Sequence, residues 1–172
     1  EHSISLQEGK LGVGYQYSKW GTRENIASDG KKWRGPENDN VSLHYQFNDN
    51  LSLSYNRVDS QYHYITNTVD TKQEVERNNA QLIYSEKHMK ATLYYVDRTR
   101  KKDALTLKTG KISSDEEKNH NLGFDLQKDW NIENGKILIG GSYQDEHDTP
   151  AGGREQSRNN YSTYAQYEQS SS

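Results

Sequence analysis

Residues 41–55 read Val-Ser-Leu-His-Tyr-Gln-Phe-Asn-Asp-Asn-Leu-Ser-Leu-Ser-Tyr. Val41, Leu43, Tyr45 and Phe47 alternate with polar residues, and so do Leu51, Leu53 and Tyr55. Between the two runs lies Asn48-Asp49-Asn50, a cluster of turn-forming residues. Side chains on a strand point to opposite faces in turn, so period two predicts two half-apolar strands joined by a tight turn.

The pattern extends in both directions. Leu11, Val13, Tyr15 and Tyr17 precede it, and Ala80, Leu82 and Tyr84 follow. Met89, Ala91, Leu93 and Tyr95 continue the series, then Leu122, Phe124 and Leu126. Ile137, Ile139 and Tyr143 come next, and Tyr161, Thr163, Ala165 and Tyr167 close it. No comparable stretch holds apolar residues at helical spacing. The chain reads as all-β, with a short strand near Ser3–Leu6 and eight longer ones ending near Gln169.

Composition decides what kind of all-β protein this is. Only 30% of the 172 residues are hydrophobic, with 13 Tyr against two Phe. Soluble domains carry about 45–50% on a similar count, and mean hydropathy is −1.23. A chain this polar is expected to be disordered unless its apolar residues are placed economically. A sandwich needs a Val-, Ile-, Leu- and Phe-rich face to fill its core. Here that face is short and Tyr-tipped, while the opposite face carries Ser, Gln, Asn, Gly, His, Asp and Lys. An outer-membrane barrel has this arrangement, with apolar residues toward lipid, a polar interior and aromatic girdles.

The connections agree. Short turns are expected at Gln7–Lys10, Asn48–Asn50, Glu86–His88 and Asn131–Gly135. Long polar loops are expected at Gly21–Asn38, Thr66–Gln73, Asp103–Glu116 and Asp148–Ser157. Barrels sort their connections this way, with short periplasmic turns and long extracellular loops. Leu51–Ile65 and Met89–Lys101 exceed the about 9–11 residues of a crossing strand, so their ends should stand above the membrane as a rim. The fold expected is a partial, antiparallel up-and-down transmembrane β-barrel of about eight to nine strands. Residues 1–169 form it and 170–172 are a polar tail. Two alternatives stand beside it: a complete eight-stranded barrel with a structural, adhesive or porin-like role, and a soluble extracellular carbohydrate-binding β-sandwich.

Other classes find little support. With 22 basic and 25 acidic residues the net charge is −3, without the clustered basic face that nucleic acid requires. No cysteine is present, which removes disulfides and thiolate metal sites. No signal peptide is visible from Glu1 onward, so the chain reads as mature or as a fragment. There is no G-x-S-x-G, H-E-x-x-H or phosphate-binding glycine loop, so neither catalysis nor a cofactor is expected. The six histidines lack ligand spacing, and no metal site is expected.

Asn119-His-Asn-Leu-Gly-Phe-Asp-Leu-Gln-Lys-Asp-Trp130 is followed by Lys136-Ile-Leu-Ile-Gly-Gly-Ser-Tyr143 and Arg158-Asn-Asn-Tyr-Ser-Thr-Tyr-Ala-Gln-Tyr-Glu168. This succession resembles the mid-barrel of TonB-dependent outer-membrane receptors, and Tyr-Ala-Gln-x-Glu at 164–168 is its most pointed piece. Glu76–Tyr84 leading to Ala91–Arg98 is similar to an earlier hairpin of those barrels. The resemblance implies a bacterial outer-membrane location and a barrel portion without the plug domain. It implies that the parent receptor works with its plug and the TonB system to import a small-molecule ligand of siderophore, corrinoid or glycan type.

Within that picture the loops hold the candidate ligand contacts. Trp20, Arg23, Trp33 and Arg34 are of the types enriched at recognition hot spots, although Trp20 in an interfacial girdle and Trp33 packing the loop on itself is the simpler explanation. His63, between Tyr62 and Tyr64 at a loop mouth, is the histidine most worth attention. Arg98, Arg100, Lys101 and Lys102 could meet the phosphates of lipopolysaccharide, or simply form a solvated strand end. The acidic runs Asp115–Glu117 and Asp145–Asp148 read as a solvated rim, and Trp130 as a periplasmic girdle residue.

Overall fold

The computed structural model describes residues 2–19, 32–66 and 68–169, with 32–36 by backbone alone. These residues form nine strands and no helix: β1 (His2–Glu8), β2 (Leu11–Lys19), β3 (Lys32–Gln46), β4 (Leu51–Ile65), β5 (Val69–Glu86), β6 (Met89–Thr106), β7 (Lys111–Ile132), β8 (Gly135–Thr149) and β9 (Gln156–Gln169). Each pairs antiparallel with the next in one sheet ordered β1 to β9. Among the described residues no second sheet exists, so the sandwich architecture is not formed. Nor is the sheet closed, because β1 pairs only with β2 and β9 only with β8.

The decisive hairpin forms as expected. Asn48 Oδ1 accepts hydrogen bonds from the backbone N–H groups of Asn50 and Leu51, both at 2.9 Å. That side chain replaces a backbone partner and fixes the β3–β4 turn. At the β1–β2 turn Gly9 takes φ 56°, and at the β6–β7 turn Gly110 takes φ 67°, a region that residues with a Cβ seldom adopt.

Register sorts the sheet into two chemically distinct faces. Leu11, Tyr45, Leu53, Leu82, Leu93, Phe124, Tyr143 and Tyr161 stand directly opposite one another from β2 to β9. A parallel row runs through Leu6, Val13, Leu43, Tyr55, Ala80, Tyr95 and Leu122. Between those rows, on the other face, lie Gly12, His44, Ser54, Gln81, Tyr94, Gly123, Gln144 and Asn160. A slip of one residue at any hairpin would mix the two sets. On β7 the apolar side runs from Leu122 to Trp130, roughly 27 Å along the strand.

Burial is inverted relative to a soluble domain. No hydrophobic side chain among the described residues is buried. Leu93 is 45% exposed and Phe124 41%, whereas Thr92 on the opposite face is only 7% exposed. Thr71 and Ser60, also on the polar face, are buried as well. The polar side is therefore the concave one, and the apolar band faces outward.

Tyrosines lie flat across glycines on the concave side. A Cβ at Gly123 would stand 2.1 Å from Tyr94 Cζ, and one at Gly140 2.3 Å from Tyr164 Cζ. The Tyr164 hydroxyl reaches past Gly140 to donate to Gln127 Oε1 at 3.3 Å. Gly135 differs, because a Cβ there would meet the Glu168 backbone oxygen at 2.2 Å. A tyrosine ring can swing away, but a paired strand cannot. Gly135→Ala is expected to lower stability by roughly 1–3 kcal/mol, and Gly123→Ala by less; equilibrium urea unfolding of the two variants would establish the order.

Three expected loops turn out shorter than the sequence suggests. Val69–Gln73 belongs to β5, Asp103–Thr106 to β6 and Lys111–Glu116 to β7, so the connections shrink to 66–68 and 107–110. Turn residues 150–155 join β8 to β9. In the first two cases polar strands continue past the apolar rows, held by the ladder and by opposite charges facing across it. The segment expected as Gly21–Asn38 lies partly outside the described residues, and its remainder from Lys32 belongs to β3.

Candidate functional site

The loop end of β3–β5 gathers most of the residues expected to meet a ligand. Trp33 stands opposite Tyr64, and Arg34 opposite His63. His63 in turn faces Lys72, and Tyr62 faces Gln73. Between Arg34 and Glu37 the register shifts, at Gly35-Pro36. Proline has no N–H for the ladder and is accommodated at such an irregularity. Trp20 and Arg23 lie outside the described residues, as do Ser170–Ser172.

A cavity of about 340 Å³ opens here, lined by Glu37, Gln61, Tyr62, His63, Lys72, Gln73 and Glu74. His63 Nε2 lies 2.6 Å from Asp70 Oδ1, which orients the imidazole through a residue two positions from its register partner. Glu37, His63, Lys72 and Glu74 project to the face that carries the apolar rows, whereas Tyr62 and Gln73 project to the other, so the site offers an imidazole, an amine and two carboxylates on one side of the sheet. Such a set can hold a polar ligand by hydrogen bonds and charge. Asp70, Lys72 and Glu74 were not among the expected contacts. They come from the segment expected to be a loop, and only its extension as β5 places them beside His63.

The basic and acidic runs are explained by each other. Arg100 faces Glu117, Lys101 faces Glu116 and Lys102 faces Asp115 across β6–β7. Arg100 and Glu117 form an ion pair. Lys101 is bracketed by Glu74 on β5 and Glu116 on β7, on the face that carries the apolar rows. Arg98, Arg100 and Lys102 lie on the opposite, concave face. Of the four residues considered for lipopolysaccharide, only Lys101 therefore stands on the outward side, between two carboxylates.

The second acidic run is also engaged. Arg158 Nε donates to Glu146 Oε2 at 2.8 Å. His147, beyond the apolar rows, stacks on His120 with ring centroids 4.7 Å apart. Glu155 at 3.2 Å and Asp145 at 3.3 Å hold the imidazole, and these hydrogen bonds, Glu155 first, raise its pKa above the usual histidine value. Near the opposite end of the sheet Asp129 lies 3.2 Å from His88 and 3.1 Å from Lys136. Trp130 sits beside that short turn, with Lys128 Nζ 5.2 Å from its ring centroid. Among the described residues no group of three His, Asp or Glu side chains is placed to hold a metal ion.

No protein-family model matches the chain, and neither a curated protein nor a solved structure matches it.

Proposed function

We propose that this chain is part of a transmembrane β-barrel of a bacterial outer membrane. Following the sequence resemblance, we assign it to the barrel of a TonB-dependent receptor that takes up a scarce small molecule. The observation that carries the membrane reading is the inverted burial: continuous apolar rows on the outward face of a single sheet whose better-buried side is polar. In water, such a face would drive association or precipitation. In lipid it is the contact surface, and the concave side remains wet. The cavity at His63 and Lys72 supports a first ligand contact at the extracellular rim, with Arg34 in register beside His63 on the neighbouring strand.

Trp130 supplies the test, once Trp20→Phe and Trp33→Phe remove the other two tryptophans. In liposomes its emission is expected to be strongly quenched by brominated lipid, more by bromines near the headgroup than by those at the acyl terminus. A chain that stays folded and monomeric without detergent or lipid, with unquenched Trp130, would sink the membrane reading. The receptor assignment has a separate check, since the flanking coding sequence must then supply a plug-like segment and further strand–turn cycles.

A further inference from the structure

We propose that Arg77 and Arg98 form a binding site for a soluble phosphate ester on the concave face. The two residues are directly opposite in the β5–β6 register and project to the same side. Like charges in that position destabilise a sheet. Three other arginines of the sheet are neutralised: Arg100 has Glu117, Arg158 has Glu146, and Arg57 lies near both Asp59 and Glu76. Among the described residues, Arg77 and Arg98 form no ion pair. The Arg77 Nε donates to Asn79 Oδ1 at 3.2 Å, which steadies the side chain and adds no negative charge.

The surroundings leave the spot open to an anion. Flanking the pair in the same row are Val58 on β4 and Asn119 on β7. Of the carboxylates on this face, Glu117 is taken by Arg100 and Glu146 by Arg158, and Asp148 stands one strand further along the row, opposite Asn119. Asn121, diagonal to Arg98 across β6–β7, has a buried side-chain oxygen without a hydrogen-bond partner among the described residues. A half-turn of that amide presents its NH2 group instead, and oxygen and nitrogen are interchangeable in shape.

Geometry selects the class of anion. One guanidinium fork engages both oxygens of a carboxylate and neutralises its single charge, so a second fork finds lone pairs there but no net negative charge. A phosphate monoester has three terminal oxygens and close to two negative charges, so it can accept from both forks and neutralise both. The site depends on register and charge, which the sheet keeps whatever covers its apolar face, so it stands or falls separately from the membrane reading.

The folded chain in a neutral detergent would be titrated with inorganic phosphate, phenyl phosphate and acetate, following 31P line widths and acetate competition. Saturable broadening is expected for both phosphates, with acetate at least about tenfold weaker. Arg77→Gln and Arg98→Gln should each weaken phosphate binding about tenfold, consistent with losing a charge-assisted hydrogen-bond pair. Arg98→Lys should fall between, and Arg158→Gln should leave binding unchanged. In phosphate-free buffer Arg98→Gln should also raise the urea midpoint by relieving the repulsion, and saturating phosphate should reverse that order. Absence of broadening would overturn the site, as would equal loss in Arg158→Gln or an Arg98→Gln that only destabilises. Acetate binding as tightly as phosphate would overturn the phosphate class. Binding confined to phosphatidylglycerol-doped micelles would overturn the soluble source.

Discussion

Leu93→Arg is expected to cost about 2–4 kcal/mol when the chain folds into a bilayer, the range for a lipid-facing arginine near the midplane. Leu93 sits between Leu82 and Phe124 in the row that crosses the sheet, with Ala91 and Tyr95 on the same face along its own strand. Gln81→Arg places the same charge on the adjacent strand but on the concave face, opposite Tyr94 and Ser54. Water solvates it there, so the expected change is within about 0.5 kcal/mol. The pair separates the readings by sign as well as size. If the apolar face were solvated, Leu93 at 45% exposure would already meet water, and arginine there would be neutral or would improve solubility. Urea titration of both variants in liposomes measures the difference directly, with lipid-to-protein ratio held constant.

The two faces were legible because period two requires only the order of residues along each strand. Leu43, Leu53, Leu82, Leu93, Phe124 and Ile139 share one side of the sheet, and Ser42, Ser54, Gln81, Thr92, Asp125 and Ser142 share the other. Strand length was less legible. Beyond the apolar rows the alternation passes into Thr, Lys, Glu and Asp, which resemble loop composition, so the true ends of β5, β6 and β7 were hidden. The charge ladder was readable in principle. Arg100, Lys101 and Lys102 lie as far before the Leu107–Gly110 turn as Glu117, Glu116 and Asp115 lie after it. Reading the runs as separate patches, the basic one a solvated strand end or a lipopolysaccharide contact and the acidic one a solvated rim, misses that mirror relation. Arg77 and Arg98 are likewise equidistant from the Lys87-His88 turn. The rim site was half legible: aromatic and histidine residues flagged β4, while Asp70, Lys72 and Glu74 became neighbours only through the length of β5.

Engineered cysteines at the sheet edges carry the second large effect, an all-or-none difference in cross-linking. The chain has no native cysteine, so any disulfide reports the introduced pair. Ile139→Cys with Ala165→Cys joins residues directly opposite on β8 and β9, within the about 4.4–6.8 Å Cα separation that a disulfide accepts, and should oxidise readily in liposomes. Leu6→Cys combined in turn with Cys at Tyr161, Thr163 or Ala165 should not. The reason is that the two edges do not meet: among the described residues β1 pairs only with β2, and the 14-residue β9 only with β8. In hydrocarbon each unsatisfied backbone group costs several kcal/mol, and a strand needs about 9–11 residues to cross at all. A β9 edge of this length is a template for another long strand, which is what a larger barrel would supply. Efficient cross-linking of Leu6→Cys to β9 would instead mean that the nine strands close alone, and the receptor-barrel assignment would give way to a small complete barrel.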